Sequence, residues 1–297
     1  MPLAPSARKR EEVCRLVSAA YDGLVVMVRT AGSRDLTLED LLRAHRTLME
    51  GDPTEAPDAG RLRTVQNWIG GPPGYPVGAL HIPPRPERVE ELMDDLIGFL
   101  ARDDLDPLIQ SAVAHAQFES IHRLTDGNGR IGRTLMNAVW RSRGATRTVS
   151  LPIAAALAAQ RARYFSALDQ YREGDIDGIT TIVAQCAVEA GDASLASSRR
   201  LASLPAQWRD RTGVRSGSAA ARLIDRLLDR PVVDVEDVKS LTGASTAAAY
   251  RALEGLEESG VLRRLSASRR DVLWGAGDVL DEADHLIADL EARSHGR

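Results

Sequence analysis

The run His122-Arg-Leu-Thr-Asp126-Gly127-Asn128-Gly129-Arg130-Ile-Gly-Arg133 gathers side chains that could act together on a phosphate. Asp126 to Gly129 reads as a tight turn, in which both glycines permit positive φ and close approach of a ligand to the backbone. Asn128 is placed to cap the helix that follows. A helix starting there aims free N–H groups and the positive end of its dipole at one spot, a ready anion site. Arg130 and Arg133, three apart, leave the same face of its first turn. Asp126 is a lone carboxylate in this positive field, which suits Mg²⁺ bound through one carboxylate plus substrate phosphates. His122 ends the preceding helix and can reach the same place as a general base. Taken singly, such a histidine is usually structural and such arginines are usually surface charges. Their joint arrangement points to phosphoryl or nucleotidyl transfer. The Gly-x-x-x-x-Gly-Lys-Ser/Thr spacing of a P-loop is missing.

Helices must carry these groups. Helical periodicity dominates, with residues 10–29, 37–48, 87–100, 106–121, 130–143, 152–173 and 176–189 reading as helices. Thr37-Leu-Glu-Asp40 matches a capping box. Residues 51–86 are rich in breakers, and within them 77–82 read as a short extended piece. Residues 194–218 look like a linker helix plus a loop. Beyond them, helices at 219–228, 235–241 and 246–259 and strands at 260–265 and 270–274 follow in the order of a winged helix-turn-helix.

The chain has 297 residues, 43% hydrophobic and 27% charged, enough for one large and one smaller soluble domain. No apolar run is long enough to cross a bilayer, and the polar, basic start is unlike a signal peptide, so a cytoplasmic location is expected. Cys14 and Cys186 lie far apart in apolar, helix-like contexts and read as buried thiols. A net charge of -4 gives no overall affinity for nucleic acid or acidic membranes. Only Lys9 and Lys239 are lysines, so nearly every cation is an arginine, the better side chain for a multidentate grip on phosphate.

The run His122–Arg133 resembles the signature of Fic (Fic/Doc) proteins, His-Pro-Phe-x-Asp/Glu-Gly-Asn-Gly-Arg-x-x-Arg. Gln117–His122 resembles the usual lead-in. Residues 63–71 and 81–87 resemble the flap region, and 161–168 the helix after the motif. The resemblance covers about residues 37–190. It implies a mostly α protein: a Fic-type helical core with a short β-hairpin flap, plus a C-terminal winged-helix domain. The implied division is an N-terminal helical segment (1–36), the catalytic domain (37–193), a linker (194–218), the winged helix (219–285) and a tail (286–297). It also implies transfer of AMP from ATP to a Ser, Thr or Tyr hydroxyl of a protein, with pyrophosphate leaving. His122 would be the base and Asp126 would hold Mg²⁺. Gly127, Asn128, Gly129, Arg130 and Arg133 would bind phosphates. Tyr164 and Phe165 would lie near the nucleotide base. Val77, Gly78, Ala79, Leu80 and His81 would form the flap that registers a target by strand addition.

Arg123 and Leu124 replace the signature's Pro and Phe, which adds a cation near the pocket. That keeps a second use of the site open: transfer of another phosphate-containing group, or removal of AMP. Ser18-Ala-Ala-Tyr-Asp22-Gly23 resembles the family's inhibitory helix with Asp for Glu, so a pair with Arg133 would be strained or absent. The winged helix could contact DNA through Ser245, Thr246, Arg251, Arg269 and Arg270. The nine basic and nine acidic residues between Ser216 and Gly275 make it a weak electrostatic match for DNA. Docking a target or forming a homodimer is the alternative, and a nucleotide-sensing regulator is the reading from another class. Self-modification is a further expectation.

Overall fold

The computed structural model describes residues 23–49, 54, 56–72, 75–266 and 272–295. Ser18, Asp22, Arg269 and Arg270 lie outside them. The described chain is mostly helical and divides into two units that part between Ala190 and Gly191. No helix among the described residues is long and apolar enough to cross a membrane.

The first unit opens with α1 (23–31) and α2 (Leu38–Met49). The Thr37–Asp40 box forms as the sequence reads it: Thr37 Oγ1 accepts from Asp40 N at 3.3 Å, and Asp40 Oδ2 accepts from Thr37 N at 3.0 Å. Next come α3 (Pro86–Leu100), α4 (Pro107–Ile121) and α5 (Asn128–Ser142). Prolines at their first turns start α3 and α4, and Asp106 caps α4 through the amides of Leu108 and Ile109. α4 has buried residues on all its faces, among them Gln110, His115, Phe118 and Glu119. It is the central helix of this unit. Met93, Leu96, Phe118, Ile121, Leu124, Ile131 and Leu135 form the core that clamps α3, α4 and α5 together. The Gln110 amide donates to the carbonyls of Phe99, Leu100 and Arg102, which fixes the loop before α4.

The helix expected over 152–173 is two, α6 (Ile153–Ala159) and α7 (Arg161–Arg172), because Gln160 leaves helical geometry at φ -112° and ψ 33°. The helix at 176–189 and the linker helix are instead one continuous α8 (Asp177–Thr212), with Pro205 inside it. The flap also differs from a full hairpin. Residues 77–78 turn, and a single bridge, Ile69 to His81, joins its arms.

The second unit adds α9 (Ala219–Ile224), β1 (Val232–Val233), α10 (Val235–Thr242), α11 (Thr246–Glu258), β2 (Leu262–Arg264), β3 (Trp274–Ala276) and α12 (Gly277–His295). α9 stops earlier than the sequence pattern suggests, and β1 has no counterpart in it. The strands form an antiparallel sheet in the order β1-β3-β2. Trp208, Leu223, Leu253, Leu256 and Trp274 are buried at its centre, and Trp208 Nε1 donates to Asp278 at 2.7 Å. Residues 286–295, read from sequence as a tail, belong to α12, whose Leu290 is buried.

Candidate active site

His122 terminates α4 in the left-handed region, at φ 46° and ψ 56°, the only non-glycine residue with positive φ among those described. Such a conformation is strained and persists only where its surroundings over-determine it. Here they do. The His122 carbonyl accepts from Arg63 Nε at 2.9 Å and Asn67 Nδ2 at 3.2 Å. The Arg63 amide donates to the Arg123 carbonyl at 2.9 Å, and its guanidinium also reaches the Pro84 carbonyl. Burial pushes the His122 imidazole down to about 4; the Glu119 carbonyl opposes this, and His81, Arg63 and Arg172 add to it. The ring is therefore neutral at pH 7, the form that accepts a proton.

α5 begins at Asn128, behind Gly127 at φ 77°. The expected cap does not form. Asn128 is buried, and its amide closes the loop instead, accepting from Leu124 N at 3.0 Å and donating to Leu124 O at 2.8 Å. With the side chain so committed, only its backbone N–H can meet a ligand. The Ile131 amide makes the first bond back, to Gly127 O, which leaves the first turn's amides without intrahelical partners. A Cβ on Gly127 would lie 3.2 Å from Leu48 Cδ2 and 3.3 Å from His45 Cδ2, besides the positive φ. Gly127→Ala is expected to lower stability by about 1–2 kcal/mol, read as a lower thermal midpoint. An unchanged midpoint would show that the turn tolerates a side chain.

Asp126 and Arg130 are exposed and pair at 3.0 Å. Among the described residues no group of three His, Cys, Asp or Glu gathers as a protein-only metal cage. A single accessible carboxylate at a helix N-terminus fits Mg²⁺, whose remaining ligands would be phosphate and water. The Arg133 guanidinium folds back over Gly129, where a Cβ would stand 2.8 Å from Nη1.

Tyr164 is buried, not displayed: its hydroxyl bonds His115 Nε2 at 2.8 Å and the rings stack at 5.8 Å. Phe165 is partly exposed, 5.3 Å from Tyr164 and beneath Arg161. In the flap, Val77 and Leu80 are 73% and 78% exposed. His81 is tied to α4 through Nε2 and the Ser120 carbonyl at 2.9 Å. Arg123 corrects the sequence reading. It is fully enclosed 5.1 Å over the Phe118 ring, with no hydrogen bond to any guanidinium nitrogen, so it adds no cation to the open face of the site. Sequence reasoning assigned no role to Arg63, Asn67, His115 or Glu119. The first two lay inside the flap likeness, and Glu119 inside the lead-in.

Comparison with known proteins agrees with this geometry. Residues 35–140 match the family model of the Fic/DOC family. A protein adenylyltransferase Fic from Nematostella vectensis is 32% identical over 169 residues, covering 56% of this chain and 35% of its own. The protein adenylyltransferase fic-1 of Caenorhabditis elegans is 30% identical over 176 residues, covering 58% and 29%. The chain thus spans about a third of the length of these relatives. The crystal structure of a Fic family protein from Desulfovibrio desulfuricans shares the fold, with a TM-score of 0.53 at 22% identity over 89% of this chain and 75% of that one. The segment that carries His122, Asp126, Arg130 and Arg133 accordingly lies within the match to the Fic/DOC family.

Proposed function

We propose that the chain is a protein adenylyltransferase, moving AMP from ATP to a Ser, Thr or Tyr hydroxyl. The observation that carries this reading is a neutral, half-buried imidazole held at the end of α4, next to the open N-terminus of α5 with Arg130 and Arg133. In the proposed reaction the target hydroxyl oxygen attacks the α-phosphorus. The bond from that phosphorus to the β-phosphate oxygen breaks, and pyrophosphate leaves. His122 accepts the hydroxyl proton. The backbone amides of Asn128 and Gly129, with Arg130, neutralise phosphate charge, while Arg133 meets the γ-phosphate. Mg²⁺ held by Asp126 would supply further charge neutralisation on the α and β phosphates. Catalysis would rest on positioning and electrostatics, not on a covalent intermediate. The exposed apolar flap, with the Val77 and Leu80 side chains open to solvent, suits an extended target segment. The relatives named protein adenylyltransferase support the same chemistry. The burial of Arg123 removes the feature that favoured another transferred group.

The test is incubation of the full chain with Mg²⁺ and α-labelled ATP, with and without cell lysate, read by intact mass and label incorporation. Gain of one AMP per modified site is expected. No label in any protein, lysate included, would refute the reading.

For the second unit we infer a winged helix, from the order α9-β1-α10-α11-β2-β3 and the sheet order β1-β3-β2. Its described wing arginines have internal partners: Arg263 pairs with Asp281, and Arg264 with Glu257, which also accepts from Trp274 Nε1. These pairs favour docking a protein over gripping DNA.

A further inference from the structure

Glu119 is a charged residue with no part in the proposed reaction, buried three positions before His122. It is 7% exposed, and its Oε1 has no hydrogen-bond partner. It lies where α4 and α5 touch, and the touch is possible only because position 132 is glycine. A Cβ there would stand 2.6 Å from Glu119 Oε1 and 3.0 Å from Phe118 Cδ1. The residue after this glycine is Arg133. Its guanidinium runs back toward Gly129 and approaches the Tyr164 hydroxyl, whose other partner is His115. The charged and titratable groups facing Glu119 are Arg133 from α5, Arg172 and Tyr164 from α7, and His115 on α4 itself. Both cations stabilise its ionised form, while burial disfavours it.

We propose that Glu119 is a positioning residue for Arg133: from behind the α4–α5 contact it holds the guanidinium over the first turn of α5, ready for the terminal phosphate. This rests on the adenylyltransferase reading, which puts that phosphate at Arg133. A long arginine left free loses rotamer entropy when it binds. A fixed negative charge behind it meets part of that cost before ATP arrives. The Tyr164 hydroxyl, bonded to His115, lies close to the same guanidinium. Burial also lifts the Glu119 carboxyl to about 7, with Arg133 and Arg172 pulling it back. The hold is therefore strongest above neutrality and weakens as the carboxyl protonates.

The test measures the dissociation constant of MgATP by calorimetry, and kcat and KM, for the full chain and for Glu119→Gln, Glu119→Asp, Arg133→Ala and Glu119→Gln/Arg133→Ala. Glutamine keeps the volume and removes the charge. Glu119→Gln is expected to weaken ATP binding about tenfold at pH 8, with kcat within about twofold, and to lose the difference from the parent at pH 6. Aspartate, which keeps the charge, recovers part of the affinity. In the Arg133→Ala background the glutamine change has no further effect, since its route to the ligand is gone. If the parent binds ATP and Arg133→Ala weakens it while Glu119→Gln does not, the positioning role is wrong and the nucleotide reading stands. An equal loss from Glu119→Gln with and without Arg133 also overturns it, marking a merely structural role. If the parent binds no ATP, the nucleotide reading falls and the proposal with it.

Discussion

His122→Ala is expected to lower AMP transfer by about 10²- to 10⁴-fold while ATP affinity stays within a few-fold of the parent. The ring sits at the end of α4, and the groups proposed to meet phosphate begin at the start of α5. Removing the imidazole therefore deletes the proton acceptor without touching the anion cradle. Strain relief comes with the change in the left-handed region only if glycine replaces it, so His122→Gly serves as a control for backbone effects. The pH profile gives a sharper check. Because burial holds the ring near 4, its neutral form dominates throughout pH 6 to 8, and the rate should show no break at the ordinary imidazole value of 6.5. Initial rates of label transfer, with MgATP saturating at each pH, measure this. A break near 6.5 that disappears in His122→Ala would show that the ring is open to water and that the shielding argument is wrong.

Acid should destabilise this chain before its exposed carboxylates protonate. Burial pushes His45, His115 and His122 from 6.5 to about 4. As pH falls through 6.5 the unfolded chain binds protons on these rings and the folded chain does not. Stability is thus full above 6.5 and is lost across the window from 6.5 to 4. Glu119 acts in the opposite sense. Its carboxyl, raised from 4.5 to about 7, contributes stability that is full below 4.5 and lost as pH rises through 7. From pH 7 to pH 5 each histidine costs about 2 kcal/mol and Glu119 returns about 2 kcal/mol. The net is a loss of about 3–4 kcal/mol, visible as a lower urea midpoint by circular dichroism. His115→Gln should flatten the slope, since His115 is fully enclosed. A midpoint that holds or rises between pH 7 and pH 5 would contradict the assignment.

Much of the candidate site was legible because it is local. His122 and Asp126 lie in the turn between α4 and α5, and Arg130 and Arg133 at the start of α5, helices whose ends carry ordinary signals, Pro107 and Gly127 among them. What secures the site was not legible. Arg63 and Asn67 reach the His122 carbonyl across 59 and 55 positions, and no local pattern encodes such a bond. Asn128 was misread as a cap because two backbone sites compete for its amide, and the Leu124 peptide won. The linker read as a helix plus a loop, and a helix does run to Thr212; what the sequence did not show is that it continues the preceding helix without a break, as α8. Conversely, nothing in residues 152–173 marks the break at Gln160, which is neither glycine nor proline.

The grip on residues 122–124 falls on main-chain atoms throughout. Arg63 takes the His122 and Arg123 carbonyls, Asn67 those of His122 and Leu124, and Asn128 both ends of the Leu124 peptide. A scaffold fastened this way takes no part of its path from the exposed side chain at position 125, whereas the side chain at 123 is enclosed against Phe118. Directed evolution can therefore randomise position 125 while the loop keeps its path, provided Arg63, Asn67 and Asn128 are left alone.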